Sequence, residues 1–341
     1  MRLDILLAKR SGFAVAQLCP RAITIKKVNF MKQSSSNYPE FMRMVDLVSN
    51  LNPFQSKRIK NFIDTQDIEF WEYAESLCNF LSNSLLKTDE ERAASAKAYN
   101  QMTMDFLKEQ IRFKKTGTYL LNDASLAIES VYDNPIVMRY YMVGLCLSYL
   151  LWPNHYKMLR FFKNYLKVSP EVNRYLDVAP GHGLFAAETM RRFPSIKASL
   201  LDISATSIQV SGQILESFQI KPSRFDFING DFLTVPIDGG EYDFISMGEV
   251  LEHVNDPLGF LKRARNLLKD DGRVFMTTCT NAPALDHIYH FHNTNEIRTL
   301  IYEAGFCILS QESLPAEDVP EERCEEELVT INYCSILAKI K

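Results

Sequence analysis

The chain has 341 residues, 46% hydrophobic and 23% charged, and its 38 basic and 42 acidic side chains leave a net charge of −4. That length fits two domains with sizeable cores, and the composition excludes a disordered or fibrous protein. With no broad basic field, the charge balance argues against a nucleic-acid partner.

Residues 1–30 are basic, with Arg2, Lys9, Arg10, Arg21, Lys26 and Lys27 against Asp4. An organelle-targeting segment has this look. So does a flexible tail over residues 1–36, or a translation start upstream of a natural one at Met31, and these two readings are preferred. The seven cysteines (Cys19, Cys78, Cys146, Cys279, Cys307, Cys324 and Cys334) are scattered without CxxC spacing. They argue against a disulfide framework or a zinc site and for a reducing, cytoplasmic setting.

From residue 37 to 166 the pattern is helical. Phe70, Ala74, Leu77 and Leu81 recur at helical spacing, widened by Trp71 and Cys78. Thr88 and Glu91 have capping-box spacing for the next helix, which carries Tyr99, Met102, Phe106 and Ile111. Gly117 and Thr118 mark a break. Helical segments follow at 121–131, 135–151 and 155–166, with a turn at Pro153 and Asn154. The apolar run 135–152 tempts a membrane reading, but Arg139, its tyrosines and Ser148 favour a buried core helix. An all-α domain without strand alternation is expected.

Past Ser169 and Pro170, short apolar runs alternate with helical patterns. Strands are expected at 175–179, 198–201, 225–228, 242–247, 273–278, 307–310 and 329–338. Helices are expected at 184–192, 205–218 and 257–268, the last opened by Asp256 and Pro257 as cap and first-turn proline. Asn293 and Glu296 have cap-box spacing before a helix ending at Gly305. This alternation predicts an α/β domain over 167–341, a mostly parallel sheet covered on both faces. The acidic stretch 317–327 reads as a solvated loop.

The most informative stretch is Tyr175-Leu176-Asp177-Val178-Ala179-Pro180-Gly181-His182-Gly183: a strand ending in an acid, a glycine turn, then a helix N-terminus with free N–H groups. Asp202 ends the next strand, about twenty residues past the glycines, where a carboxylate accepts from both hydroxyls of a ribose. Asp231, in Asn229-Gly230-Asp231-Phe232, follows the third strand and is placed to accept from an adenine amine.

This order of parts resembles the class I S-adenosylmethionine-dependent methyltransferases, in their small-molecule branch. The resemblance covers residues 175–341, about half of the chain. Asp177, Gly181 and Gly183 match the family's first motif, Asp202 its ribose-binding acid, and Gly230 with Asp231 its adenine-contacting pair. Residues 249–254, Glu-Val-Leu-Glu-His-Val, are similar to its VLEHV segment. Asp270-Asp271-Gly272 matches the turn before its fifth strand, and Ala304-Gly305-Phe306 its recurring AGF. The resemblance implies a Rossmann-like seven-stranded sheet with an antiparallel last strand. It also implies S-adenosylmethionine as cofactor, with S-adenosylhomocysteine as product, held by the residues named together with Ala179, Ile203, Phe232, Gly248 and Glu249. Ala179 stands where the family usually has glycine, and Pro180 where it has a small residue, which tightens the turn without abolishing the site. A nicotinamide-binding domain is the nearest rival. It accepts Ala186 at the third-glycine position but does not account for the LEHV segment or the antiparallel end.

The implied reaction is methylation of a small biosynthetic molecule, expected at oxygen. Alternatives are O-methylation of a peptide carboxylate and a repurposed S-adenosylmethionine binder that transfers no methyl group. Ser246-Met247-Gly248-Glu249 stands where methyltransferases of bases or glutamine carry an Asn-Pro-Pro-Tyr type signature, which argues against macromolecular amino groups. His253 is a candidate base, against packing beside the cofactor. In Asp286-His287-Ile288-Tyr289-His290-Phe291-His292, His287 and His290 are candidate bases, and His287 and His292 candidate substrate contacts. The histidines and acid of this stretch include metal-ligand types, but no completing ligand set is visible and no metal is expected. Trp71, Trp152 and the tyrosines around Tyr140 read as core of the helical half; the sharper reading, by analogy with related O-methyltransferases, is that this domain would be a substrate lid and homodimer interface. Tyr119, Tyr140, Tyr141 and Tyr156 would line an aromatic pocket, with Tyr140 and Tyr156 the expected substrate contacts.

Overall fold

Side-chain caps set where the helices of the first half begin. Asn52, ahead of Pro53, accepts from the N–H groups of Phe54 and Gln55. Asp67 accepts from Phe70 N, and Thr88 and Glu91 close a reciprocal capping box. Asn134, ahead of Pro135, accepts from Ile136 N and Val137 N. Each satisfies N–H groups that a helix start leaves without partners. The computed structural model describes residues 37–237 and 241–341; the tail expected over 1–36 lies outside them.

The helical half comprises α1 (Pro39–Leu51), α2 (Pro53–Ile63), α3 (Ile68–Leu81), α4 (Asp89–Thr116), the short α5 (Ala124–Ala127) running into a π-turn at Ile128–Tyr132, and α6 (Pro135–Leu151). Helix α6 is the apolar segment, buried through Met138, Tyr141, Met142 and most of its last turns. Among the described residues no single helix is long and apolar enough to cross a membrane. Pro153 and Asn154, expected as a turn, instead start α7 (Pro153–Val168). Proline is tolerated at a first helical position, so the break falls on the extended Trp152.

The second half runs β1 (Arg174–Val178), α8 (Leu184–Arg192), β2 (Lys197–Asp202), α9 (Ala205–Ser217), β3 (Phe225–Asn229), β4 (Tyr242–Gly248), α10 (Pro257–Leu267), β5 (Leu268–Thr280), α11 (Thr294–Glu303), β6 (Phe306–Pro315), α12 (Glu321–Cys324) and β7 (Ile331–Lys339). The seven strands are ordered β3-β2-β1-β4-β5-β7-β6. Strands β1 to β5 pair in parallel, and β7 is antiparallel to both neighbours. Order reverses between β1 and β4, and ligand crevices open beyond strand carboxyl ends at such a point. The acidic stretch is not all loop: Cys324 of α12 is buried and its thiol donates to Pro320 O.

Helix α7 joins the halves. Phe162 is fully buried and packs on Phe185 of α8, Phe244 of β4 and Phe275 of β5, with ring centroids 4.9, 6.3 and 4.4 Å away. One apolar core therefore runs from the helical half onto one sheet face, while α10 and α11 cover the other. Continuity of that core places α6 and the π-turn over the crevice.

Candidate active site

A cavity of about 720 Å³ opens beyond β1 and β4, lined by the strand-end turns below and by α2, α4, α6 and the π-turn above. Its lower wall begins at the turn after β1. Ala179 (φ 53°), Gly181 (φ 56°) and Gly183 (φ 81°) are left-handed, so the alanine holds a conformation that favours glycine. Ala179 N donates to Leu201 O at 2.8 Å, stitching the turn to β2. Asp202 then accepts from Gly181 N at 3.3 Å and Ser204 N at 2.8 Å. Asp177 accepts from Ser246 Oγ, which also bonds Tyr175 OH.

Burial pushes the carboxyl of Asp177 up to about 7, that of Asp202 up to about 6 and that of Glu249 up to about 7. All three line the cavity. Asp177 Oδ2 and Glu249 Oε1 are buried without a hydrogen-bond partner. Unpaired buried carboxylate oxygens are costly, and a cationic ligand would satisfy them. This fits a cofactor carrying ammonium and sulfonium charges. Glu249 is held by Asn332 Nδ2 at 2.8 Å. Its φ of 51° is a second left-handed non-glycine conformation on the cavity rim.

A pH dependence follows. A cation favours the ionised carboxyls, so binding releases protons and the raised acid constants fall. Cofactor affinity should therefore rise from pH 5 to pH 8, with its midpoint in the 6–7 range set by these three groups. Calorimetry in buffers of different ionisation enthalpy would show net proton release near pH 6.5; proton uptake would refute the assignment.

Ile203, Gly230, Asp231, Phe232 and Gly248 also line the cavity, as do Ala179 and Gly181. Asp231 is partly committed to its own turn, accepting from Leu233 N at 3.0 Å and Thr234 Oγ1 at 3.1 Å. Gly183 does not line the cavity. A Cβ there would come within 2.9 Å of Ser211 Cα in α9. Its smallness serves helix packing rather than ligand approach. Gly183→Ala should cost about 2 kcal/mol or more, from the left-handed φ and the clash together, read as a lower urea midpoint with unchanged slope.

The cavity lining also includes His253, Asp286 and His287. His253 Nδ1 faces Tyr132 OH at 3.0 Å, Asp286 O at 3.2 Å and Asp286 Oδ2 at 3.3 Å. Tyr141 OH donates to Asp286 Oδ1 at 3.3 Å. His287 lines the cavity with its Nδ1 against Ala282 O, and burial lowers its imidazole to about 3, which keeps it neutral. Tyr132, Tyr149 and Trp152 join the lining from the helical half. Tyr132 and Tyr149 were missed in the sequence because they sit on elements with no chemical motif. Their only signal was membership in an aromatic-rich helical region.

Five residues expected at the site, Tyr119, Tyr140, Tyr156, His290 and His292, do not line this cavity. Successive residues on a helix point about 100° apart, so Tyr141 enters the cavity while Tyr140 turns to α4 and donates to Asp105 Oδ2 at 2.9 Å. Tyr156 packs in the helical core, edge-on to Phe70 at 4.8 Å. His290 is drawn between Phe113 and Tyr119, with Nε2 2.8 Å from Asn281 Oδ1. His292 is exposed beside Glu296, 3.2 Å from its carboxylate. Tyr119 donates to no ligand wall either: its hydroxyl accepts from Ala282 N at 3.0 Å.

Residues 153–314 match a family described as a methyltransferase domain. The second half of the chain is therefore similar to a methyltransferase domain, on a sheet whose order and antiparallel strand are those implied by the class I resemblance. The unpaired buried carboxylate oxygens of Asp177 and Glu249 fit the charges of the S-adenosylmethionine that the resemblance implies. The domain is 27% identical over 116 residues to the ubiquinone biosynthesis O-methyltransferase of Acinetobacter baylyi, covering 32% of this chain and 45% of that protein. It is 24% identical over 117 residues to the demethylmenaquinone methyltransferase of Chlamydia muridarum, covering 34% of this chain and 49% of that protein. The chain spans about half the length of the curated relatives it matches. Among solved structures, the N-methyltransferase NodS of Bradyrhizobium japonicum WM9 with S-adenosylhomocysteine matches at 13% identity and a TM-score of 0.48, over 64% of this chain and all 100% of that one.

Proposed function

We propose that this chain transfers a methyl group from S-adenosylmethionine to an oxygen of a small biosynthetic molecule. The observation that carries the reading is the His253–Asp286 pair lining the same continuous cavity as the unpaired carboxylates. S-adenosylmethionine, when bound, supplies an electrophilic methyl carbon. Asp177, Asp202 and Glu249 hold its charged and hydroxyl groups. With Nδ1 turned to acceptors on Asp286, His253 would offer Nε2 to the proton of a substrate hydroxyl as its oxygen takes the methyl group and the sulfonium's S–CH3 bond breaks to leave S-adenosylhomocysteine. Tyr141, Tyr132 and Trp152 supply an apolar and aromatic wall that excludes water and orients a flat acceptor. The names of the relatives, quinone-pathway methyltransferases, favour a small acceptor over a macromolecule.

In the same reading, residues 37–166 are a helical domain that covers the substrate and carries a homodimer interface, and 167–341 are the catalytic domain. The described cysteines are all free, in keeping with a reducing cytoplasm. The test is S-adenosylhomocysteine formation across a panel of phenols, hydroxyquinones and carboxylic acids. A cofactor bound at micromolar affinity but never turned over, with any acceptor class, would replace this reading with the non-methylating one.

A further inference from the structure

Behind the cavity wall, Glu252 is a fully buried carboxyl. Its partners are two neutral donors, Thr278 Oγ1 at 2.7 Å and the Cys279 thiol at 3.4 Å. Among the described residues no lysine or arginine forms an ion pair with it. Its ionisation is further opposed by Glu249, and Asp286 adds to the negative character around Cys279. A buried carboxyl in such surroundings needs a compensating cation or must stay protonated. The third neighbour is His287, whose Nδ1 lies 3.9 Å from Cys279 Sγ. One ligand atom from each of Glu252, Cys279 and His287 lies within 4.8 Å of the others, and all three residues are buried.

We propose that Glu252, Cys279 and His287 form a binding site for a divalent transition-metal cation of the zinc class, with its fourth position open to the active-site cavity. Thiolate, imidazole and carboxylate together are the donor set such a cation selects over magnesium or calcium. The charges close: a divalent cation, one thiolate, one carboxylate and a neutral imidazole sum to zero, which a low-dielectric interior tolerates. Binding displaces the Cys279 thiol proton, which now points at Glu252 Oε1, and any proton on the Glu252 carboxyl. No electron changes hands. Ligation at His287 Nδ1 replaces that nitrogen's contact with the Ala282 carbonyl, while Thr278 donates to the Glu252 carboxylate, the kind of outer hydrogen bond that orients a metal ligand. Cys279 and His287 line the cavity and Glu252 does not, so the open position faces the space that His253 also lines. The site would fix residues 282–287, and with them Asp286, against β5.

Cobalt(II) titration of the chelator-treated full chain tests this, because a cysteine ligand gives a thiolate-to-cobalt charge-transfer band. The expected result is one cobalt per chain with that band, displaced by zinc. Cys279→Ser should abolish the band, and Glu252→Gln should weaken cobalt binding at least about tenfold. Cys307→Ser, far from the cluster, should leave both unchanged. S-adenosylmethionine calorimetry on every variant reports folding, and failure of methyl transfer would not touch the metal result. A chain that binds S-adenosylmethionine but shows no band overturns the proposal, as does a band that survives in Cys279→Ser. Should Cys279→Ser fail to fold, an unaltered cobalt affinity in Glu252→Gln overturns it equally.

Discussion

Asp202→Asn should bind S-adenosylmethionine about a hundredfold more weakly while keeping the fold. The carboxylate at the end of β2 is placed to accept from both ribose hydroxyls. Hydrogen bonds to a charged acceptor contribute about 1.5–3 kcal/mol each, and a loss near 2.8 kcal/mol is about a hundredfold in affinity. The same carboxylate accepts from Gly181 N and Ser204 N, so a second explanation, a loosened turn, has to be separated. Calorimetry reads the affinity, and thermal unfolding without cofactor reads the turn. A lowered midpoint with unchanged affinity would make Asp202 a turn anchor and not a ribose contact. The sign with pH is also fixed. Burial raises the wild-type carboxyl to about 6, so the wild-type advantage is full at pH 8 and shrinks as pH falls through 6, where the native acid is itself neutral.

The second half of the fold was legible because its signals are local. An acid at a strand end, glycines in the following turn and Asp256 before Pro257 each act within a few residues, and the structure places them at β1, its turn and the start of α10. Strand limits were harder. Strand β5 begins at Leu268, five residues before the expected 273, because Asp270 and Asp271 stay extended despite their turn-like composition. The cofactor wall was readable for the same local reason, Gly183 excepted: its clash with Ser211 arises from a helix that the sequence does not show to be adjacent. The aromatic and histidine part of the lining was not readable. Whether Tyr140 or Tyr141 enters the cavity depends on the rotation of α6 about its axis, which α4 sets through Asp105 and Phe106. His287 and His290 differ likewise by the path of a loop that Asn281 and Tyr119 hold. Long-range packing decided those positions, and one-residue differences in it move a side chain from ligand to core.

His253→Asn should lower kcat by 10² to 10⁴-fold, the usual range for loss of a positioned base, with cofactor affinity and acceptor KM within about threefold of the native values. The asparagine keeps a polar side chain toward Tyr132 and Asp286 but offers no basic nitrogen to the substrate. Asp286→Asn should act through His253. The carboxylate at 3.3 Å orients the ring and stabilises the charge it gains on taking a proton, so its loss should cost kcat about tenfold to a hundredfold and leave KM in place. Asp286→Glu should recover part of that loss, a rescue that a packing role would not predict because the longer side chain crowds a site only 2% exposed. Tyr132→Phe separates the helical half's share, since it removes the hydroxyl 3.0 Å from His253 Nδ1 and keeps the ring. A smaller kcat loss there, without a change in Kd for S-adenosylmethionine, would mean that the helical half completes the active site as well as covering it. If His253→Asn turned over at the native rate, the proton would be leaving by another route. An acceptor that is already anionic, such as a carboxylate, would then be the substrate class to screen.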